Sequence, residues 1–234
     1  MNVIIFGASG MVGQAVLLCA LHAPDVDNVI VVVRTALTLS HPKLRQLVEP
    51  DPASSNLDAL AVGSVDVCFY CIGVSAAGLD ERRYSALTRD TTVKVARRLL
   101  AHHPALRFVY VSAHGADSSE SGKVMWARVR GATENALGRL PFSGLSIVRP
   151  ALIQPLDGIR SKTRSYRWFY WVASPLISLT RWLIPRHVLT TRLLGEAMLA
   201  VAREPHGAGI LEPRDILRRA QGGSIDRRNN VYKR

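Results

Sequence analysis

Cysteine is scarce, acidic residues are outnumbered, and no hydrophobic run is long enough to span a bilayer. The three cysteines, Cys19, Cys68 and Cys71, lie in apolar runs and not in polar loops. They therefore read as small buried hydrophobes of a reducing compartment. Cys68 and Cys71 do form a C-x-x-C, but it falls inside the strand-like run Val67-Cys68-Phe69-Tyr70-Cys71-Ile72 and not at a helix start, so structural thiols are expected over redox chemistry. The most apolar late stretch, 168–185, is broken by Ser174-Pro175 and carries Arg181, short of the roughly 20 uninterrupted residues a spanning helix needs. A strand-like run already starts at Asn2 with no charged leader or cleavage site before it, so a cytoplasmic protein is expected. Asp and Glu number 18 against 30 Lys and Arg, a net charge of +12. That excess attracts phosphates, anionic cofactors or acidic surfaces without choosing among them.

Apolar residues make up 48% of the 234-residue chain, enough for one well-buried α/β domain. Short β-branched runs alternate with stretches of helical spacing. Residues 2–6 read as a strand and 11–22 as a helix with Val12, Ala15, Val16 and Cys19 on its apolar face. Strands follow at 29–33, 44–48, 65–72, 106–112 and 145–148, with helices at 81–102, 123–140 and 190–203 and a last apolar run at 209–211. Such alternation predicts a Rossmann-like, doubly wound parallel sheet with helices on both faces. After Ala151 it dissolves into Pro-interrupted segments, predicting a small irregular cap on the substrate side. The domain is expected to span 1–212, with 151–189 as the cap and 213–234 as a polar basic tail, disordered toward its end.

The segment Gly7-Ala8-Ser9-Gly10-Met11-Val12-Gly13 follows a buried strand and opens a helix, the setting in which G-x-x-G-x-x-G binds a dinucleotide. Gly7 suits the tight turn, Gly10 the approach of a pyrophosphate to the backbone, and Gly13 close helix–strand packing. The helix N-terminus offers free N–H groups to the anion. About 20 residues on, where an NAD-specific site carries a carboxylate, stands Val33-Arg34. A guanidinium there suits the 2′-phosphate of NADP(H), and makes NAD(H) the less favoured cofactor.

Together with Cys71-Ile72-Gly73, Val109-Tyr110-Val111-Ser112 and Val148-Arg149-Pro150, these features resemble the short-chain dehydrogenase/reductase superfamily in its extended or atypical branch, over residues 1–212. Within it, Met125 to Gly131, Glu134-Asn135-Ala136-Leu137 and Ile153-Gln154-Pro155 are similar to the Tat-interacting tumour-suppressor oxidoreductase group and its small bacterial relatives. The resemblance implies a catalytic Ser at Ser112, and Cys71 and Gly73 beside the cofactor. Where relatives carry Tyr-x-x-x-Lys-Gly, this chain has Trp126-x-x-x-Arg130-Gly131. Indole cannot exchange a proton as a phenol does, and Arg130 stays protonated, able to hold a ribose or polarise an oxygen but not to relay a proton. His114, two residues past Ser112, is the best substitute acid. Two readings stand: an oxidoreductase with a degenerate motif acting on a small molecule, or a non-catalytic NADP(H) sensor or assembly module.

Between Gly158 and Gly195 there is no Asp or Glu; Arg160, Lys162, Arg164, Arg167, Arg181, Arg186 and Arg192 alternate with Tyr166, Trp168, Phe169, Tyr170, Trp171 and Trp182. A lid over the substrate, a segment lying on an anionic membrane surface and a nucleic-acid surface compete here. Nucleic acid is the weakest, since no dedicated binding motif accompanies it. No metal site is expected. A monomer, or a homodimer through the 81–102 and 123–140 helices, fits the pattern.

Overall fold

The computed structural model describes residues 1–53, 64–151, 153–154 and 189–221. Its strands are β1 (Asn2–Phe6), β2 (Asn28–Val33), β3 (Leu44–Val48), β4 (Val67–Tyr70), β5 (Arg107–Val111), β6 (Gly144–Val148), β7 (Ile153–Gln154), β8 (Leu189–Thr190) and β9 (Gly209–Leu211). The helices are α1 (Met11–His22), α2 (Glu81–Ser85), α3 (Thr91–His102), α4 (Met125–Gly138) and α5 (Thr191–Ala202), followed by a helical stretch over 213–221. Most of the basic aromatic segment and the 222–234 tail lie outside the described residues.

Seven strands pair in the order β3-β2-β1-β4-β5-β6-β9, every pair parallel, while β7 and β8 form a separate parallel pair. This is the expected Rossmann-like α/β architecture. The winding direction reverses between β1 and β4, the place where open α/β sheets bind ligands beyond the carboxyl ends of their strands.

Strand parity divides the core. Val3, Ile5, Val29, Val31, Phe69, Val109 and Val148 pack against α1 and α5. Ile4, Phe6, Ile30, Cys68, Tyr70, Phe108, Tyr110 and Ile147 face α3 and α4. On the second face an aromatic stack links Phe6 to Tyr70 at 5.6 Å and Tyr70 to Phe108 at 6.0 Å between ring centres. The odd spacing of Cys68 and Cys71 sends them to opposite faces, and none of the three cysteines forms a disulfide among the described residues.

Three differences from the sequence reading have local causes. The 81–102 helix is continuous but holds one π turn at Ala86–Asp90, where the Thr91 hydroxyl donates to the Ala86 carbonyl at 2.9 Å. β4 is shorter than 65–72: Cys71 N–H still donates to Phe6 O at 3.0 Å, after which the chain leaves the sheet. The folded body also continues past residue 212, because the 213–221 helix buries Ile216 and Ala220 completely; this corrects the boundary placed before a polar tail. Among the described residues no helix is long and apolar enough to cross a membrane.

Candidate functional site

The glycine loop sits at the end of β1, at the switch point between β1 and β4. Gly7 has φ +78°, and a Cβ there would stand 2.8 Å from the Cys71 carbonyl carbon and oxygen, so Cys71 meets the loop through its backbone. A Cβ on Gly13 would fall 2.2 Å from Gly7 O, whereas one on Gly10 would meet only Gly7 O, at 3.3 Å. Gly7 and Gly13 are thus demanded by the protein's own packing, and Gly10 is far less so. Gly10 is the N-cap of α1 and makes no side-chain cap; no acidic residue occupies the first turn. Ala8 is fully buried, while Ser9, Met11 and Val12 keep partial exposure along the loop. An uncapped, uncountered helix N-terminus in this position is complementary to an anion. Arg34, just past β2, is exposed, with no hydrogen bond or ion pair among the described residues.

Helix α4 presents Trp126, Arg130 and Glu134 at successive i, i+4 positions, which share one face. Trp126 is half-buried, its ring edge 3.5 Å from where a Cβ on Gly115 would stand; Gly115 itself has φ +85°. Arg130 spans the ends of β4 and β5: Nη1 makes a long 3.4 Å bond to Val111 O, and Nη2 lies 3.6 Å from a Cβ built on Gly73. The next residue of α4 fits equally closely, because a Cβ on Gly131 would collide with Asp117 O. Asp117 in turn organises its loop, accepting from the Ser119 hydroxyl at 2.6 Å and Gly122 N–H at 2.7 Å; these bonds hold its carboxyl below the usual range.

Ser112 stands immediately after β5 and is only 4% exposed. Its N–H donates to Val148 O at 2.8 Å and its hydroxyl donates to Glu134 Oε1 at 2.5 Å. Glu134 is itself buried and ion-paired to Arg149, whose Nε reaches Oε1 at 3.0 Å and whose Nη2 bonds Oε2. Arg149 also donates to Glu212 Oε1 at 3.0 Å and Ser118 Oγ at 2.8 Å. The Glu134 bond, foremost, holds the guanidinium even further above its ordinary pKa. His114 joins from outside: its side chain is 60% exposed and Nδ1 lies 2.9 Å from Glu212 Oε2. One connected network thus runs from Ser112 through Glu134, Arg149 and Glu212 to His114. Tyr110, on the same strand face as Ser112, is buried in the core, and burial pushes its phenol up to about 12.

Ser112, Trp126, Arg130 and Gly73, expected from the sequence at one site, lie near the ends of β4 and β5 and the first half of α4, with the Ser112 hydroxyl bonded to Glu134 and the His114 ring to Glu212. Glu134 and Arg149 enter the sequence reading only within the stretches that carry the resemblance, without a role, and Glu212 does not enter it. Glu134 was within reach, since it extends the 126/130 spacing by one more helical turn; its pairing with Arg149, 15 residues on, was not.

No family model matches the chain. Among curated proteins it is 29% identical over 170 residues to the mitochondrial protein fmp52 of Aspergillus clavatus, covering 70% of each chain. It is 28% identical to protein HTATIP2 of Rattus norvegicus over 154 residues, 65% of this chain and 62% of that one. An oxidoreductase of the short-chain dehydrogenase/reductase family from Burkholderia thailandensis superposes with a TM-score of 0.64 at 14% identity, covering 100% of this chain and 98% of that one. The fold is that of the short-chain dehydrogenase/reductase superfamily. The similarity to fmp52 and HTATIP2 is consistent with the atypical group expected from the sequence. The Bordetella bronchiseptica enzyme WbmH in complex with NAD+ also superposes, with a TM-score of 0.63 at 15% identity, covering 89% of this chain and 73% of that one.

Proposed function

We propose that the protein is an atypical oxidoreductase of this superfamily that binds NADP(H) in preference to NAD(H). The carrying observation is the uncapped start of α1 on the Gly7–Gly13 loop at the switch point, with Gly10 lax where a pyrophosphate would pass and Gly7 and Gly13 tight where it would not. These residues fit a dinucleotide. A bound nicotinamide would supply or take up hydride. Arg34 holds the 2′-phosphate, its guanidinium unengaged among the described residues. Arg130 takes the ribose position usual for Lys, Cys71 and Gly73 flank it, and the indole N–H of Trp126 polarises a ligand oxygen. The body over 1–221 acts as one domain, with 151–189 as its cap over an unidentified small-molecule substrate and as the part able to meet an anionic membrane surface.

A second reading is favoured by the Ser112–Glu134 and His114–Glu212 bonds, which occupy the groups a proton relay would need. Under it the protein senses NADP(H) without turnover.

Calorimetric titration with NADPH, NADP+, NADH and NAD+ tests the cofactor assignment: NADP(H) binds tightest and Arg34→Ala removes the preference. Binding of none of the four would refute it. Turnover separates the two readings. Reduction of small carbonyl compounds, abolished by His114→Ala, excludes the sensor; activity only after Trp126→Tyr with Arg130→Lys establishes it.

A further inference from the structure

A serine hydroxyl has one proton to give and two lone pairs to receive with. At Ser112 the proton is committed. Glu134 Oε1 accepts it at 2.5 Å, and a carboxylate already paired side-on with Arg149 has only acceptors to offer, so the direction of that bond is settled. The Ser112 N–H is spent as well, on Val148 O. Turning the hydroxyl toward a carbonyl ligand would exchange a bond to a buried charge for a neutral one about half as strong.

We infer that Ser112 meets a bound ligand only as a hydrogen-bond acceptor, so that the site selects a ligand carrying an O–H or N–H at that point, an alcohol over the matching ketone or aldehyde. Glu134 is the positioning residue: it touches no ligand and acts by fixing which way the Ser112 proton points. Arg130, half-buried at the Val111 carbonyl beside Ser112, is a donor, as is the Trp126 indole. A hydroxyl is complementary to both kinds of neighbour, giving its proton to Ser112 Oγ and receiving from a donor. A carbonyl oxygen has no proton for Ser112 and sets lone pair against lone pair. The assignment rests on the proposed function only in placing the ligand at the ends of β5 and α4.

The test uses cyclohexanol and cyclohexanone as a matched pair, titrated into the full chain by protein-observed NMR, with and without NADP+. Cyclohexanol is expected to bind about three- to tenfold tighter than cyclohexanone, the worth of one neutral hydrogen bond. Ser112→Ala should erase that preference and Ser112→Thr restore it, which a purely structural serine would not do. Equal affinities, a ketone preference, a preference that survives Ser112→Ala, or no binding of either compound overturns the inference. If Ser112→Ala fails to fold, neutron diffraction on the unaltered protein decides: a proton on the line from Ser112 Oγ to Glu134 supports it, and a proton elsewhere overturns it. An alcohol preference in protein that calorimetry shows to bind no nucleotide would sink the cofactor assignment and leave this one standing.

Discussion

Replacing Glu134 by Ala strands a guanidinium inside the protein. The Glu134 side chain is 1% exposed and that of Arg149 10%. Three bonds end on the carboxylate, from Arg149 Nε, Arg149 Nη2 and Ser112 Oγ. Removing one partner of a buried pair costs about 3–5 kcal/mol, chiefly because the other charge stays behind undercompensated. Glu212 provides the internal control. It touches the same guanidinium through Nη1 at 3.0 Å but is 40% exposed, so water and salt already screen it and Glu212→Ala should cost under about 1 kcal/mol. Urea unfolding followed by circular dichroism reads the difference, and thermal scans should show Glu134→Ala lower by roughly 6–20 °C. The double replacement Glu134→Leu with Arg149→Met should recover most of the loss, since an apolar pair of similar volume avoids desolvating two charges. The reasoning is refuted if Glu134→Ala and Glu212→Ala are equally mild, or if the apolar pair is no better than the single substitution.

Gly13→Ala and Gly131→Ala should abolish folding or cost several kcal/mol, because their Cβ atoms would collide with Gly7 O and Asp117 O; Gly10→Ala should stay folded and lose affinity for NADP(H). Melting curves and calorimetry on the three variants check this together. Arg34→Ala should weaken NADP(H) about 10- to 150-fold, the worth of charge-assisted bonds, and leave NAD(H) nearly unchanged, a contrast that should shrink as salt is raised. His103 Nδ1 accepts from Val65 N–H at 3.3 Å, and burial holds the imidazole pKa below its ordinary value. A depressed folded pKa means stability present above about pH 6.5 and lost as pH falls from there through the folded value. His103→Gln, which keeps an acceptor, should flatten stability between pH 6.5 and 5; an unchanged slope would discount His103. Burial pushes the Cys68 thiol well above its ordinary value, so it should not react with a thiol reagent at pH 8 until the chain unfolds.

The glycine loop, the order of strands and helices and the parallel sheet were legible in the sequence because each rests on local rules. A β-branched run of fewer than ten residues between turn residues can be little else than a buried strand, and a glycine triplet between strand and helix has one familiar use. The same locality put Arg130, four residues along α4 from Trp126, on the same helix face. What the sequence could not decide is which charges meet. Ser112, Glu134, Arg149 and Glu212 come from the end of β5, the middle of α4, the end of β6 and the turn after β9, and only the closed sheet brings them within bonding distance. Nor could it show that the last short run, 209–211, pairs with β6 as the seventh strand and that the following helix buries Ile216 and Ala220, because a three-residue strand has too few side chains to display a period. Local spacing determines which elements form. The direction of the Ser112 proton depends on the ionised partner that tertiary packing sets against it.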